Sequence, residues 1–144
     1  MANKETLERI AEQADEFWNG RNIDLADEFI AEDFVGHLVG EEDLDGRDAF
    51  KSWAEDVAEM FPDFKIEFQP VFMEGDLFCG HWTLTGTHEG ELPGLGIEST
   101  GNHVEFSGLF IDRIKDGKVV EMWHQVDYLT LMQQVGAFSE QAPA

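Results

Sequence analysis

The period of the hydrophobic pattern changes at Pro62, and this change most narrows what the chain can fold into. Ahead of Pro62, apolar residues recur mainly at helical spacing. Leu7, Ile10, Ala14, Phe17 and Trp18 do so across Lys4–Asn19, and Phe50, Trp53, Ala54, Val57, Met60 and Phe61 form a later stripe. Beyond Pro62 they alternate, as Phe64, Ile66 and Phe68 do between Lys65, Glu67 and Gln69. Helices first and alternating strands afterwards predict an α+β domain, with helices packed on a strongly bent, mostly antiparallel sheet.

Local signals divide the chain further. Asn19-Gly20 stops the first helix, and Asn22 is a suitable N-cap for a short second one carrying Leu25, Ala26, Phe29 and Ile30. Phe34 to Val39 reads as a first strand and Glu41–Gly46 as an acidic turn. Pro62 ends the third helix, because the residue before proline avoids the α region. Apolar parity shifts at Gln69-Pro70, which predicts a bulge and a bend. Leu77–Thr87 is a long strand. His88–Gly101, with Gly90, Pro93, Gly94, Gly96 and Gly101, is a loop, either a lid or a plain connection. Asn102–Lys115 and Lys118–Val126 are strands joined by the hairpin signal Asp116-Gly117. Asp127–Val135 is a short closing helix stopped by Gly136. A single domain over residues 1–136 and a frayed tail over 137–144 are expected.

Charge removes whole classes of partner. Asp plus Glu number 31 against 9 Lys plus Arg, a net −22, so nucleic-acid phosphates and anionic membranes are repelled. The acids are dispersed and hydrophobic periodicity persists between them, which separates the chain from disordered acidic tails. A dispersed excess with few lysines points to a protein of a salt-loving organism, where dissolved ions screen the self-repulsion. The lone cysteine, Cys79, sits between Phe78 and Gly80 and reads as core filler, in keeping with a reducing compartment. The first residues form no apolar signal segment, and no run suits a membrane span. A cytoplasmic location is expected.

The Asp116-Gly117 turn sets a register if its strands pair without a bulge. Lys115 then faces Lys118 and, counting back, Phe110 faces Trp123, Gly108 faces Gln125 and Phe106 faces Asp127, these last six residues on one face of the sheet. The opposite face carries Leu109, Ile111, Val120, Met122, His124 and Val126. Two apolar faces on one antiparallel sheet call for two covers, and the helices supply one. A homodimer through Leu109, Ile111, Met122, His124 and Val126 is therefore expected. On the concave face, a carboxylate among aromatic rings takes a raised pKa, the property of a general acid or base. Asp127 is equally a favoured N-cap for the closing helix, so both roles stand open.

Gly86-Thr87-His88-Glu89-Gly90, Thr100-Gly101, Arg113, Asp116-Gly117-Lys118-Val119-Val120-Glu121-Met122-Trp123, Asp127 and Gln134-Val135-Gly136 are, in this order, similar to SnoaL-like polyketide cyclases of the NTF2-like superfamily. Phe34-Val35-Gly36-His37 and Gly46-Arg47 extend the resemblance over about Leu7 to Gly136. It implies a cone-shaped α+β fold and cofactor-free chemistry on a small, largely apolar carbonyl compound, such as intramolecular aldol condensation. It also implies that Asp127 is the acid/base. His81 stands where many members carry arginine, and His124-Gln125 fills a variable pair.

An aldol closure needs a base, a donor for the enolate oxygen and a pocket that folds the substrate. Asp127, His37 and His81 are the candidate catalytic residues. Trp53, His88, Phe106, Phe110, Trp123 and Gln125 are the candidate substrate contacts. Each has a plainer alternative. His37 fits a satisfied core histidine, His81 fits either strand face, His88 fits an exposed loop and Trp53 fits the core. His103 and His124 are expected at the surface or the interface. No Cys-x-x-Cys or His-Glu-x-x-His occurs, Gly94-Leu95-Gly96 does not complete a dinucleotide fingerprint, and no serine has a nucleophile-elbow context, so no metal or other cofactor is expected. A non-catalytic small-molecule carrier, a hydrolase or dehydratase using the same pocket, and a dimerisation module are the competing classes.

Overall fold

In the computed structural model, Asn3 opens the first helix by accepting the Thr6 backbone N–H at 2.8 Å, which satisfies one of its free donors. The structure describes residues 3–38, 41–92 and 96–137. Helix α1 (Lys4–Asn19) turns Ile10, Phe17 and Trp18 inward. A 3₁₀ turn (Ile23–Leu25) leads into the single-turn helix α2 (Ala26–Phe29). Strand β1 (Ile30–Leu38) begins four residues earlier than the sequence suggests, because Ile30 is extended rather than helical. The acidic turn holds a two-residue strand, β2 (Leu44–Asp45), paired with Val35 and Gly36. Helix α3 (Arg47–Met60) follows Gly46, whose φ of 92° favours glycine.

Strands β3 (Lys65–Glu74), β4 (Leu77–Thr87), β5 (His103–Lys115) and β6 (Lys118–Val126) complete a six-stranded sheet, and α4 (Tyr128–Gln134) closes the chain. The sheet order is β2-β1-β6-β5-β4-β3, with β1 parallel to β6 and every other pair antiparallel. Helices packed on this mixed sheet make the expected α+β architecture. The β3 slip falls between Pro70 and Phe72, leaving Val71 unmatched just past the predicted Gln69-Pro70 point. Asn19 ties the end of α1 to β3 by accepting from Ile66 N–H and donating to its carbonyl, both at 2.7 Å. Phe17, Trp18, Phe29, Phe34, Phe50 and Trp53 interlock edge to face or tilted between the helices and the sheet.

The decisive feature is a second bulge. Lys115 faces Lys118 as the turn requires, and Ile114 faces Val119, but Arg113 then faces Glu121, so Val120 has no partner. From there the pairing runs one residue out of the expected register. Phe110 faces His124, Ile111 faces Trp123 and Gly108 faces Val126. A one-residue slip sends each following side chain to the other face. Val119 and Met122 are both buried although an odd spacing separates them, and only an extra residue reconciles the two. Trp123 and Gln125 consequently lie outside, and Met122 and His124 lie inside. This corrects the assignment of Met122, His124 and Val126 to an outer interface, since all three line the interior cavity.

The candidate site, an apolar cavity with two buried titratable groups

Between the helices and the concave face of the sheet lies a cavity of about 830 Å³. Trp18, Phe34, Phe50 and Trp53 line it from the helices and β1. Phe78, Trp82, Phe106, Phe110, Met122 and Val126 line it from the sheet, and Tyr128 and Leu131 from α4. The polar residues Lys4, Glu8, Glu41, Asp56 and Gln69 are exposed within its lining and mark where it opens. Tyr128 donates its hydroxyl to Glu41 at 2.7 Å, and burial together with this carboxylate pushes the phenol pKa up.

Two polar groups stand inside. Asp112 is buried on β5 opposite Met122, and its Oδ1 is enclosed with no hydrogen-bond partner among the described residues. Burial pushes its carboxyl up to about 8, so at neutral pH it is mostly protonated. His124, 6% exposed on β6, accepts a hydrogen bond at Nε2 from the Trp82 indole N–H at 2.7 Å, and its Nδ1 has no partner among the described residues. Burial lowers its pKa to about 4, so the imidazole is neutral. Asp112 and His124 are diagonal neighbours on one face of a strand pair, which places their Cβ atoms roughly 5–8 Å apart. The rings of Trp53 and Trp82 flank the imidazole, with centroids at 5.3 and 5.5 Å. An unpaired carboxyl in such surroundings is costly to bury, and it has the poise of a proton carrier.

The residues predicted from sequence divide between the inside and the outside. Trp53, Phe106 and Phe110 line the cavity. Asp127 does not. Its exposed carboxylate caps α4, accepting the Thr130 hydroxyl at 2.6 Å and the Thr130 N–H at 3.0 Å, and these bonds hold its pKa low. Trp123 and Gln125 are turned outward by the bulge at Val120. His37 lies on the same outer face, with Nε2 at 2.7 Å from Glu121 and Nδ1 at 3.1 Å from Asp43, and the Glu121 hydrogen bond raises its pKa. His81 points outward beside Gln69 at 3.3 Å. His88 is fully buried, but against Phe61 and Thr100 and apart from the cavity lining. Of the loop suspected as a lid, Pro93, Gly94 and Leu95 lie outside the described residues, as does the tail from 138 onward. Asp112 shares the parity of Phe106 and Phe110, so alternation along β5 alone places it inside. No sequence signal announces the partnership of His124 with Trp82.

Among the described residues, no three His, Cys, Asp or Glu side chains group closely enough to hold a metal ion, and no helix is long and apolar enough to cross a membrane. The family model described as SnoaL-like polyketide cyclase matches residues 8–135. TsrD from Streptomyces laurentii superposes with a TM-score of 0.85 at 20% identity, covering 95% of this chain and 99% of its own. A candidate SnoaL-like polyketide cyclase from Jannaschia sp. CCS1 gives 0.80 at 24% identity, covering 96% and 93%. IdmH from Streptomyces antibioticus, a candidate polyketide cyclase, gives 0.76 at 28% identity, covering 90% and 97%. No functionally curated protein matches the chain in sequence.

Proposed function

Because the chain belongs to the SnoaL-like polyketide cyclase family, we propose that it is a cofactor-independent cyclase or isomerase that moves a proton on a small, largely apolar carbonyl compound, with Asp112 as the acid/base. The observation that carries this reading is the buried carboxyl of Asp112, raised to about 8 and with its enclosed Oδ1 unpartnered among the described residues, in a cavity walled mainly by rings and aliphatic side chains. In its ionised form Asp112 removes a proton from the carbon beside a carbonyl. The C–H electron pair forms the enolate double bond, and the carbonyl oxygen takes the negative charge. In a ring closure, the enolate carbon attacks a second carbonyl of the same molecule and Asp112 returns its proton to the new alkoxide. The apolar walls hold the chain folded so that the two carbons meet.

The test is exchange of α-protons on β-keto ester probes in deuterium oxide. Asp112→Asn should lower the exchange rate by roughly 10²–10⁴-fold with little change in probe affinity. An unchanged rate would remove Asp112 from the chemistry and favour a carrier.

We read the outer sheet face as the seat of a second copy of this chain. Leu109, Ile111 and Trp123 form an apolar patch there, at 48%, 38% and 36% exposure. Light scattering should give a dimer that Ile111→Glu dissociates; a monomeric parent protein would refute it. The composition fits a cytoplasmic protein of a salt-rich cell.

A further inference from the structure

An indole N–H donates and never accepts. His124 Nε2, at 2.7 Å from Trp82 Nε1, must therefore present its lone pair, and in a neutral imidazole the ring proton then sits on Nδ1. That Nδ1–H is buried and has no partner among the described residues, while His124 itself lines the cavity. An enclosed donor of this kind is costly unless something meets it. The sheet is shaped to permit the arrangement. Trp82 on β4 sits directly opposite Gly108 on β5, and a Cβ at Gly108 would run into the indole ring and into the Gln125 carbonyl. The bare glycine lets the indole lie flat across β5 and reach His124 on β6.

The geometry points to Trp82 as a positioning residue that locks His124 in its Nδ1–H form, so that the cavity offers a neutral N–H donor to an oxygen acceptor on an uncharged ligand, a ketone or ester carbonyl. This rests on the reading of the cavity as a substrate site and adds to it the group that receives the developing negative charge. His124 becomes the donor to the enolate oxygen and not a second base, because the lone pair a base would use is occupied by the indole. Charged ligands are disfavoured. Lys4, exposed at the start of α1, is the one cationic side chain among the described lining residues, and Arg113 is engaged with Asp76 and Glu121.

Two measurements on the ligand-free and ligand-bound protein decide the matter. Long-range proton–nitrogen NMR of His124 should show Nδ1 protonated and Nε2 bare at neutral pH. In Trp82→Phe, with folding checked by circular dichroism, the imidazole should lose this fixed form and its pKa should rise, since the indole donor opposes the imidazolium. Calorimetry with 2-acetylnaphthalene, 2-ethylnaphthalene and 2-naphthoate should rank the ketone above the hydrocarbon by roughly three- to tenfold, the worth of one hydrogen bond, with the carboxylate weakest. Trp82→Phe should bring ketone and hydrocarbon close to parity. Protonation on Nε2 in the parent protein, or a ketone preference that survives Trp82→Phe, overturns the proposal. Failure of all three naphthalenes to bind would sink the substrate-site reading instead, and the NMR result would still decide the lock.

Discussion

Replacing Asp112 by asparagine should change how stability depends on pH, by an amount set by burial. The native carboxyl holds its proton up to about 8, whereas the unfolded chain releases it near 3.8. A folded-state pKa above the unfolded one gives a contribution that is complete below the lower value and is lost as pH rises through the higher. Each pH unit in this window is worth about 1.4 kcal/mol, so at pH 7 the parent has lost on the order of 4 kcal/mol, a loss that the asparagine side chain, with no proton to release, does not share. Burying the asparagine amide without a partner adds an offset of its own, but that offset does not vary with pH. The quantity to measure is therefore the stability of Asp112→Asn minus that of the parent, from urea melts at matched salt. It should climb by about 3 kcal/mol between about pH 5 and about pH 7, and level off above about pH 8. His124, with its pKa lowered to about 4, loses stability as pH falls below its unfolded value, but it does so in both proteins and drops out of the difference. A difference that stays flat across this range would mean that the carboxyl titrates as an ordinary surface aspartate, and the acid/base assignment would fall with it.

Three further outcomes separate the cavity from its surroundings. Asp127→Ala should lower the melting temperature by a few degrees through the lost cap of α4, with proton-exchange activity intact; a collapse of activity would return Asp127 to the chemistry. Gly80→Ala should destabilise by about 1–3 kcal/mol in urea melts, because the new Cβ meets the Phe110 ring that forms a wall of the cavity; a change near zero would show that the ring has room to move. His37 should titrate above its ordinary value by NMR, and Glu121→Gln should bring it down; its raised pKa adds stability below the unfolded value that is lost as pH rises through the folded one. An unshifted His37 would mean that the Glu121 contact is not held in solution.

The element order follows from local signals carried by the residues themselves. Period and breakers sufficed for α1, α3 and the four long strands, because a helix stripe or a strand alternation is a property of neighbouring residues. Phe106 and Phe110 could be placed toward the interior in the same way, and alternation puts Asp112 beside them. The bulge at Val120 could not be read, since Val119 and Val120 suit a strand equally well in or out of register. Only the packed molecule decides it: Val119 and Met122 must both be buried, the extra residue absorbs their odd spacing, and everything after it turns over. That one slip carries Trp123 and Gln125 outside and His124 inside, within reach of an indole from a strand far earlier in the chain. A hydrogen bond between distant strands depends on register and on the space left by Gly108, and neither quantity exists until the sheet has formed.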